Sequence, residues 1–127
     1  MIAHTAPVLY SVDLCECAAI GQLTAEEVSE TFTSALASAG ATILHVVSHT
    51  FPGAGLTCAL LLSESHAVLH TWPETGTVNL DIFSCSTRLK SLDAIAELGR
   101  LFGASKVSIQ EVPRADGHRP GVVSPGA

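Results

Sequence analysis

The sequence predicts an α+β fold: a two-layer sandwich with a mainly antiparallel sheet and two helices packed on one face. Three observations carry this. Apolar residues make up 47% of the 127 positions, enough for a core without disulfides or a structural metal. The hydrophobic patterns run strand, helix, several strands, helix, strand. The turn residues Pro73-Glu74-Thr75-Gly76 separate two strand-like runs, so the second run returns antiparallel to the first.

Each element follows from its own residues. Pro7 to Cys17 alternates loosely through Val8, Tyr10, Val12 and Leu14 and reads as a strand. Leu23-Thr24-Ala25-Glu26-Glu27 starts a helix, with Thr24 as N-cap and Glu27 completing a capping box. That helix runs to about Ser38, and Gly40 ends it. Ala41 to Thr50, with Ile43, Leu44, Val46 and Val47, is a second strand, broken by Phe51-Pro52-Gly53-Ala54-Gly55. Leu56 to Leu62 is a third strand, Ala67 to Trp72 a fourth and Val78 to Ser84 a fifth. A second helix spans about Ser91 to Phe102, with Leu92, Ile95, Ala96, Leu98 and Leu101 on or near one face, and Gly103 closes it. Val107 to Val112 is the last strand. Residues 1–112 thus form one domain, and 113–127, rich in Gly and Pro without periodicity, read as a flexible tail.

Composition narrows the function classes. Charged residues are 14% of the chain and the formal net charge is -6, a poor match to nucleic acid. The longest apolar runs, such as Cys58 to Leu62, fall far short of the ~20 residues that span a bilayer. No basic region precedes an apolar stretch at the N-terminus, so neither signal peptide nor anchor is expected. Cys15, Cys17, Cys58 and Cys85 are few and irregularly spaced. A disulfide framework is therefore not expected, and a reducing cytoplasm is.

Chemistry-bearing residues crowd one stretch: Ser63-Glu64-Ser65-His66, then His70-Thr71, Glu74, Asp81 and Cys85. Strand ends and turns collect polar residues for ordinary reasons. Here, however, an apolar strand delivers a serine at its end and a thiol arrives on the returning strand. A histidine five residues beyond the serine is expected near it across a bend. Nucleophile, base and acid would then face one cleft.

Leu62-Ser63-Glu64-Ser65-His66, His70-Thr71-Trp72-Pro73-Glu74 and Asp81-Ile82-Phe83-Ser84-Cys85, in that order, resemble the prokaryotic S-adenosylmethionine decarboxylase family. Weaker similarity extends from about Val8 to Val112. The resemblance implies a precursor that cuts itself between Glu64 and Ser65. The Ser65 hydroxyl attacks the Glu64 carbonyl to form an ester. β-Elimination then releases the upstream chain, and the serine remnant, once water has displaced its nitrogen as ammonia, becomes a pyruvoyl cofactor derived from Ser65. That group binds the substrate amine as a Schiff base and accepts the electrons left by departing carbon dioxide.

By the same resemblance, His70 assists processing and Cys85 donates the proton in catalysis. Thr57 stands where the family usually has a processing serine. Glu74 suits a ribose diol, and Phe51 offers a ring to an adenine or a sulfonium. Asp13 and Glu16 fall in the substrate region. The family usually carries Glu then an aromatic where this chain has Asp13-Leu14, so Leu14→Phe is expected to improve binding. Gly76-Thr77-Val78-Asn79 lacks the family's aromatic after the glycine.

The implied product is decarboxylated S-adenosylmethionine for spermidine synthesis, made by a homodimer with its site near the protomer interface. Ornithine or arginine is the alternative substrate within the same chemistry. A non-enzymatic regulatory subunit, holding a metal through His45, His49, His66, His70 or Cys85, is the reading from another class.

Overall fold

The computed structural model describes residues 6–85 and 88–115. Six strands, β1 (Val8–Cys15), β2 (Ile43–Thr50), β3 (Leu56–Leu62), β4 (Ser65–Trp72), β5 (Thr77–Ser84) and β6 (Lys106–Pro113), form one sheet in the order β2-β3-β4-β5-β1-β6. Every pairing is antiparallel. Two helices, α1 (Ala25–Ser38) and α2 (Ser91–Phe102), cover one face. The expected α+β sandwich is therefore the fold. A short 3₁₀ turn at Ile20–Gln22, which the periodicity does not signal, links β1 to α1.

Local chemistry sets the helix ends. The Glu27 amide donates to Thr24 Oγ1 at 3.1 Å and the Thr24 amide donates to Glu27 Oε1 at 2.9 Å. These satisfy two amides that the first helical turn leaves without intrahelical partners. Gly103 ends α2 at φ +72°, the left-handed conformation that glycine adopts without a Cβ penalty.

The core lies between sheet and helices. Val28, Phe32, Ala35 and Leu36 of α1 and Ala94, Ile95, Leu98 and Phe102 of α2 are buried against Val12, Leu14, Cys58, Leu60, Leu69, Leu80 and Ile82. The expected face of α2 needs correction. Ile95 and Leu98 are buried, but Leu92, Ala96 and Leu101 are exposed, and Ala94 and Phe102 take their place. Cys58 is a core residue, as its apolar strand suggests. Leu14 is also fully buried on the helix side. It is not a substrate-side position, and a phenylalanine there would overpack the core.

Among the described residues the opposite face of the sheet carries no helix. It presents Val47 and Leu61, each 56% exposed, and Trp72, 51% exposed. Pro113 closes β6, and its neighbour Arg114 donates its amide to the Pro7 carbonyl at 2.9 Å. The rest of the expected tail, 116–127, lies outside the described residues. Among the described residues no helix is long and apolar enough to cross a membrane.

Candidate active site

The hairpin between β3 and β4 holds the first group of site residues. Leu62 pairs with Ser65, so Ser63 and Glu64 alone make the turn. Glu64 adopts φ +60°, a left-handed conformation that costs a residue with a Cβ. Its carbonyl faces the end of β5, where the Cys85 thiol donates to Glu64 O at 2.6 Å. Ser65 is buried, and its Oγ has no hydrogen-bond partner among the described residues. A hydroxyl without a partner beside a polarised carbonyl is a nucleophile with nothing to give up before attack.

The second group lies at the other end of the same strands. Thr57 on β3 and His70 on β4 are register partners, and Thr57 Oγ1 meets His70 Nδ1 at 2.8 Å. The Leu56 amide donates to Thr71 Oγ1 at 3.0 Å and ties the two strands at this end. Phe51, Thr57, His70, Trp72 and Glu74 line a cleft of 460 Å³. Phe51 meets the His49 ring edge-on at 4.6 Å between centroids.

The chain does not bring these two groups together. Ser65 and His70 are five residues apart on one continuous strand, about 16 Å at ~3.3 Å per residue. Five is odd, so their side chains leave opposite faces of the sheet. Ser65 is buried on the helix side and His70 is half-buried on the open side. The expected bend between them is absent because β4 pairs without a break along both neighbours.

Two further candidates are engaged elsewhere. Glu16, at φ +54°, accepts from Ser105 Oγ at 2.9 Å and pairs with Lys106 Nζ at 3.0 Å. The Lys106 ammonium, then the Ser105 hydroxyl, hold its carboxyl below the usual range. Asp13 Oδ1 accepts from Asn79 Nδ2 at 2.8 Å. Asn79 Oδ1 in turn accepts from Trp72 Nε1 at 2.7 Å. Neither carboxylate lines the cleft. Trp72 lines the cleft and Asn79 holds its indole N–H, and the sequence alone singles out neither. The signal available for them was the strand register, which sets Asn79 directly across from His70.

His45 and His49 both lie on β2, yet no three His, Cys, Asp or Glu side chains among the described residues converge as a metal set would. Cys15 ends β1, and the turn at Glu16 carries Cys17 into the core rather than leaving both thiols on one strand face.

Comparison with known proteins gives a consistent answer. The family model described as S-adenosylmethionine decarboxylase matches residues 9–115. An S-adenosylmethionine decarboxylase proenzyme of Moorella thermoacetica is 36% identical over 100 residues, which is 79% of this chain and 75% of that one. A proenzyme of the same name from Syntrophomonas wolfei is 36% identical over 89 residues, 70% of this chain and 71% of the relative. The crystal structure of the adenosylmethionine decarboxylase from Aquifex aeolicus VF5 shares the fold, with a TM-score of 0.76 and 23% identity over 98% of both chains.

Proposed function

The chain belongs to the S-adenosylmethionine decarboxylase family, and on that premise we propose that it cuts itself between Glu64 and Ser65 and then decarboxylates S-adenosylmethionine for polyamine synthesis. The observation that carries this is the contact of the Cys85 thiol with the Glu64 carbonyl at 2.6 Å, beside a buried Ser65 hydroxyl without a partner.

Peptide cleavage begins with attack of Ser65 Oγ on the Glu64 carbonyl carbon. Negative charge then develops on Glu64 O, where the Cys85 S–H already points. A donor aimed at a developing oxyanion lowers the barrier without reorganisation. Collapse of the tetrahedral centre expels the Ser65 nitrogen and leaves an ester. A base must next remove the Ser65 α-proton so that the ester C–O bond breaks and Glu64 departs as a carboxylate.

The residues fit a pyruvoyl group at position 65. When present, such a group supplies the electron sink for the charge left by departing carbon dioxide. Departure of Glu64 also removes the acceptor of the Cys85 thiol. The freed thiol stands beside position 65 and can return a proton to the substrate carbon. Phe51, Trp72 and Glu74 give the cleft two aromatic faces and a carboxylate, suited to an adenine or sulfonium and to a ribose diol.

His70 is the expected base, and within one protomer it is about 16 Å from Ser65 along β4. A homodimer removes this distance along the strand. The bare sheet face, with Val47, Leu61 and Val112 at least 40% exposed, is more apolar than a solvated antiparallel face should be. Two such faces pack as a sheet-on-sheet sandwich. A twofold axis lying between them and perpendicular to the strands reverses strand direction. The Thr57–His70 end of one protomer then meets the Ser65–Cys85 end of its partner. Nothing in the cleft favours ornithine or arginine.

Intact mass and carbon dioxide release test the reading. The expressed protein should appear as two chains, residues 1–64 and a second beginning at a blocked residue 65, and Ser65→Ala should stay whole. Carbon dioxide should come from S-adenosylmethionine. Cleavage of Ser65→Ala at the same bond would defeat the processing mechanism. Release from ornithine or arginine alone would defeat the substrate assignment and leave the mechanism intact.

A further inference from the structure

The cleft's most exposed aromatic wall is held by a clip that spans three strands. Trp72 on β4 donates Nε1–H to Asn79 Oδ1 on β5, and Asn79 Nδ2 donates to Asp13 Oδ1 on β1. We infer that Asp13 and Asn79 are positioning residues that fix the Trp72 indole at the cleft and so set its affinity for the adenosyl part of the substrate. This rests on the function proposed above.

A half-exposed indole on an open sheet face has rotamer freedom, and a ligand that stacks on it must first freeze that freedom. One hydrogen bond from the indole N–H removes it in advance, provided the acceptor is itself fixed. Asn79 can rotate by half a turn and would then present its NH₂, a donor facing a donor. Asp13 prevents this, because its carboxylate only accepts and therefore selects the amide orientation with Oδ1 toward Trp72. The order carboxylate, amide, indole is the one arrangement of these three groups in which each polar contact is a donor meeting an acceptor.

The clip also gives the aspartate at position 13 a partner. A short aspartate at position 13 reaches Asn79, its register partner on β5, rather than the cleft. Asn79 belongs to the Gly76-Thr77-Val78-Asn79 segment, which lacks the family's aromatic.

Reciprocal exchange tests the clip, with two readouts on the processed enzyme: steady-state kinetics with S-adenosylmethionine, and the emission and acrylamide quenching of Trp72, the only tryptophan in the chain. Asn79→Leu removes both hydrogen bonds. Asn79→Asp sets two carboxylates against each other. Both should raise KM ~2- to 10-fold, the range of one aromatic contact, with kcat little changed, and both should make Trp72 easier to quench. Asp13→Asn removes the accept-only partner that selects the Asn79 orientation, so it should raise KM and quenching in the same direction, by less than Asn79→Leu.

Asp13→Asn combined with Asn79→Asp rebuilds the chain with its charge moved one residue. It should restore both KM and quenching. Failure of that rescue, or an Asn79→Leu enzyme matching wild type in KM and emission, would overturn the inference. A raised KM without an emission change counts against it equally, because Asn79 would then act other than through the indole. If wild type releases no carbon dioxide from S-adenosylmethionine, the functional reading fails. The clip is then still decided by the quenching series on the unliganded proteins.

Discussion

Glu64 holds a backbone conformation that glycine would hold more cheaply, with φ at +60°, and its carbonyl takes the Cys85 thiol at 2.6 Å. Strain and polarisation thus converge on the bond proposed to break. Cys85→Ala keeps the turn and removes the donor. It should slow self-cleavage by about 10- to 100-fold, somewhat less than loss of a stronger oxyanion donor. The protein that does mature should turn over S-adenosylmethionine poorly, and time-resolved gels with carbon dioxide release on the cleaved fraction separate the two effects. Processing and turnover both at the wild-type rate would remove Cys85 from the mechanism. The other thiols answer to burial instead. Burial, with a smaller contribution from Cys15, pushes the Cys17 thiol from 9.0 up to about 11, so it stays protonated at pH 8. Iodoacetamide at that pH should label Cys85 and Cys15 in the native protein and spare Cys17 and the fully buried Cys58. A raised thiol stabilises the fold below its unfolded value and loses that contribution as pH rises from 9 toward 11. Denaturation midpoints should therefore fall over that window, and less so in Cys17→Ala.

At the scale of elements, the ends are local and the pairings are not. Gly40 shows how much one position carries: its φ is +105°, and a Cβ there would lie 2.2 Å from the Arg88 carbonyl oxygen. Gly40→Ala should destabilise the protein by at least ~2 kcal/mol, from the left-handed backbone and the collision together. A denaturant midpoint equal to wild type would mean that the 88–90 segment moves aside freely. The same locality explains what was legible beforehand. Thr24 with Glu27, Gly40 and Gly103 are capping signals within a few residues of what they end, and both helices fall where those signals set them. The inner position of β1, between β5 and β6, depends on residues about 70 and 100 positions away, which no local pattern carries. Alternation along β4 did contain the separation of Ser65 from His70, since an odd spacing means opposite faces. Expecting a bend there hid it. Register alone created the Trp72–Asn79–Asp13 chain, so it was visible only after the strands were paired.

At the scale of the whole molecule, two groups of candidate site residues stand apart on one sheet. The Ser65–Cys85 end has a hydroxyl and a thiol, proposed above as nucleophile and oxyanion donor, and the Thr57–His70 end has the imidazole. If they cooperate across a dimer, defects in different ends should complement. Consider His70→Ala co-expressed with Ser65→Ala, each distinguishable by mass. A mixed dimer pairs Ser65 and Cys85 of the first chain with Thr57 and His70 of the second, giving one complete site. The His70→Ala chain should then be cut in the mixture and stay largely whole when expressed alone. The Ser65→Ala chain should never be cut. Leu61→Glu would put a carboxylate on the bare sheet face, where Leu61 is 56% exposed. It changes nothing in the core but should block both dimer formation and complementation. The two measurements are sedimentation and intact mass. If His70→Ala is cut no better in the mixture than alone, each protomer must complete its own site. His70 would then have to travel about 16 Å along the strand before it could serve Ser65.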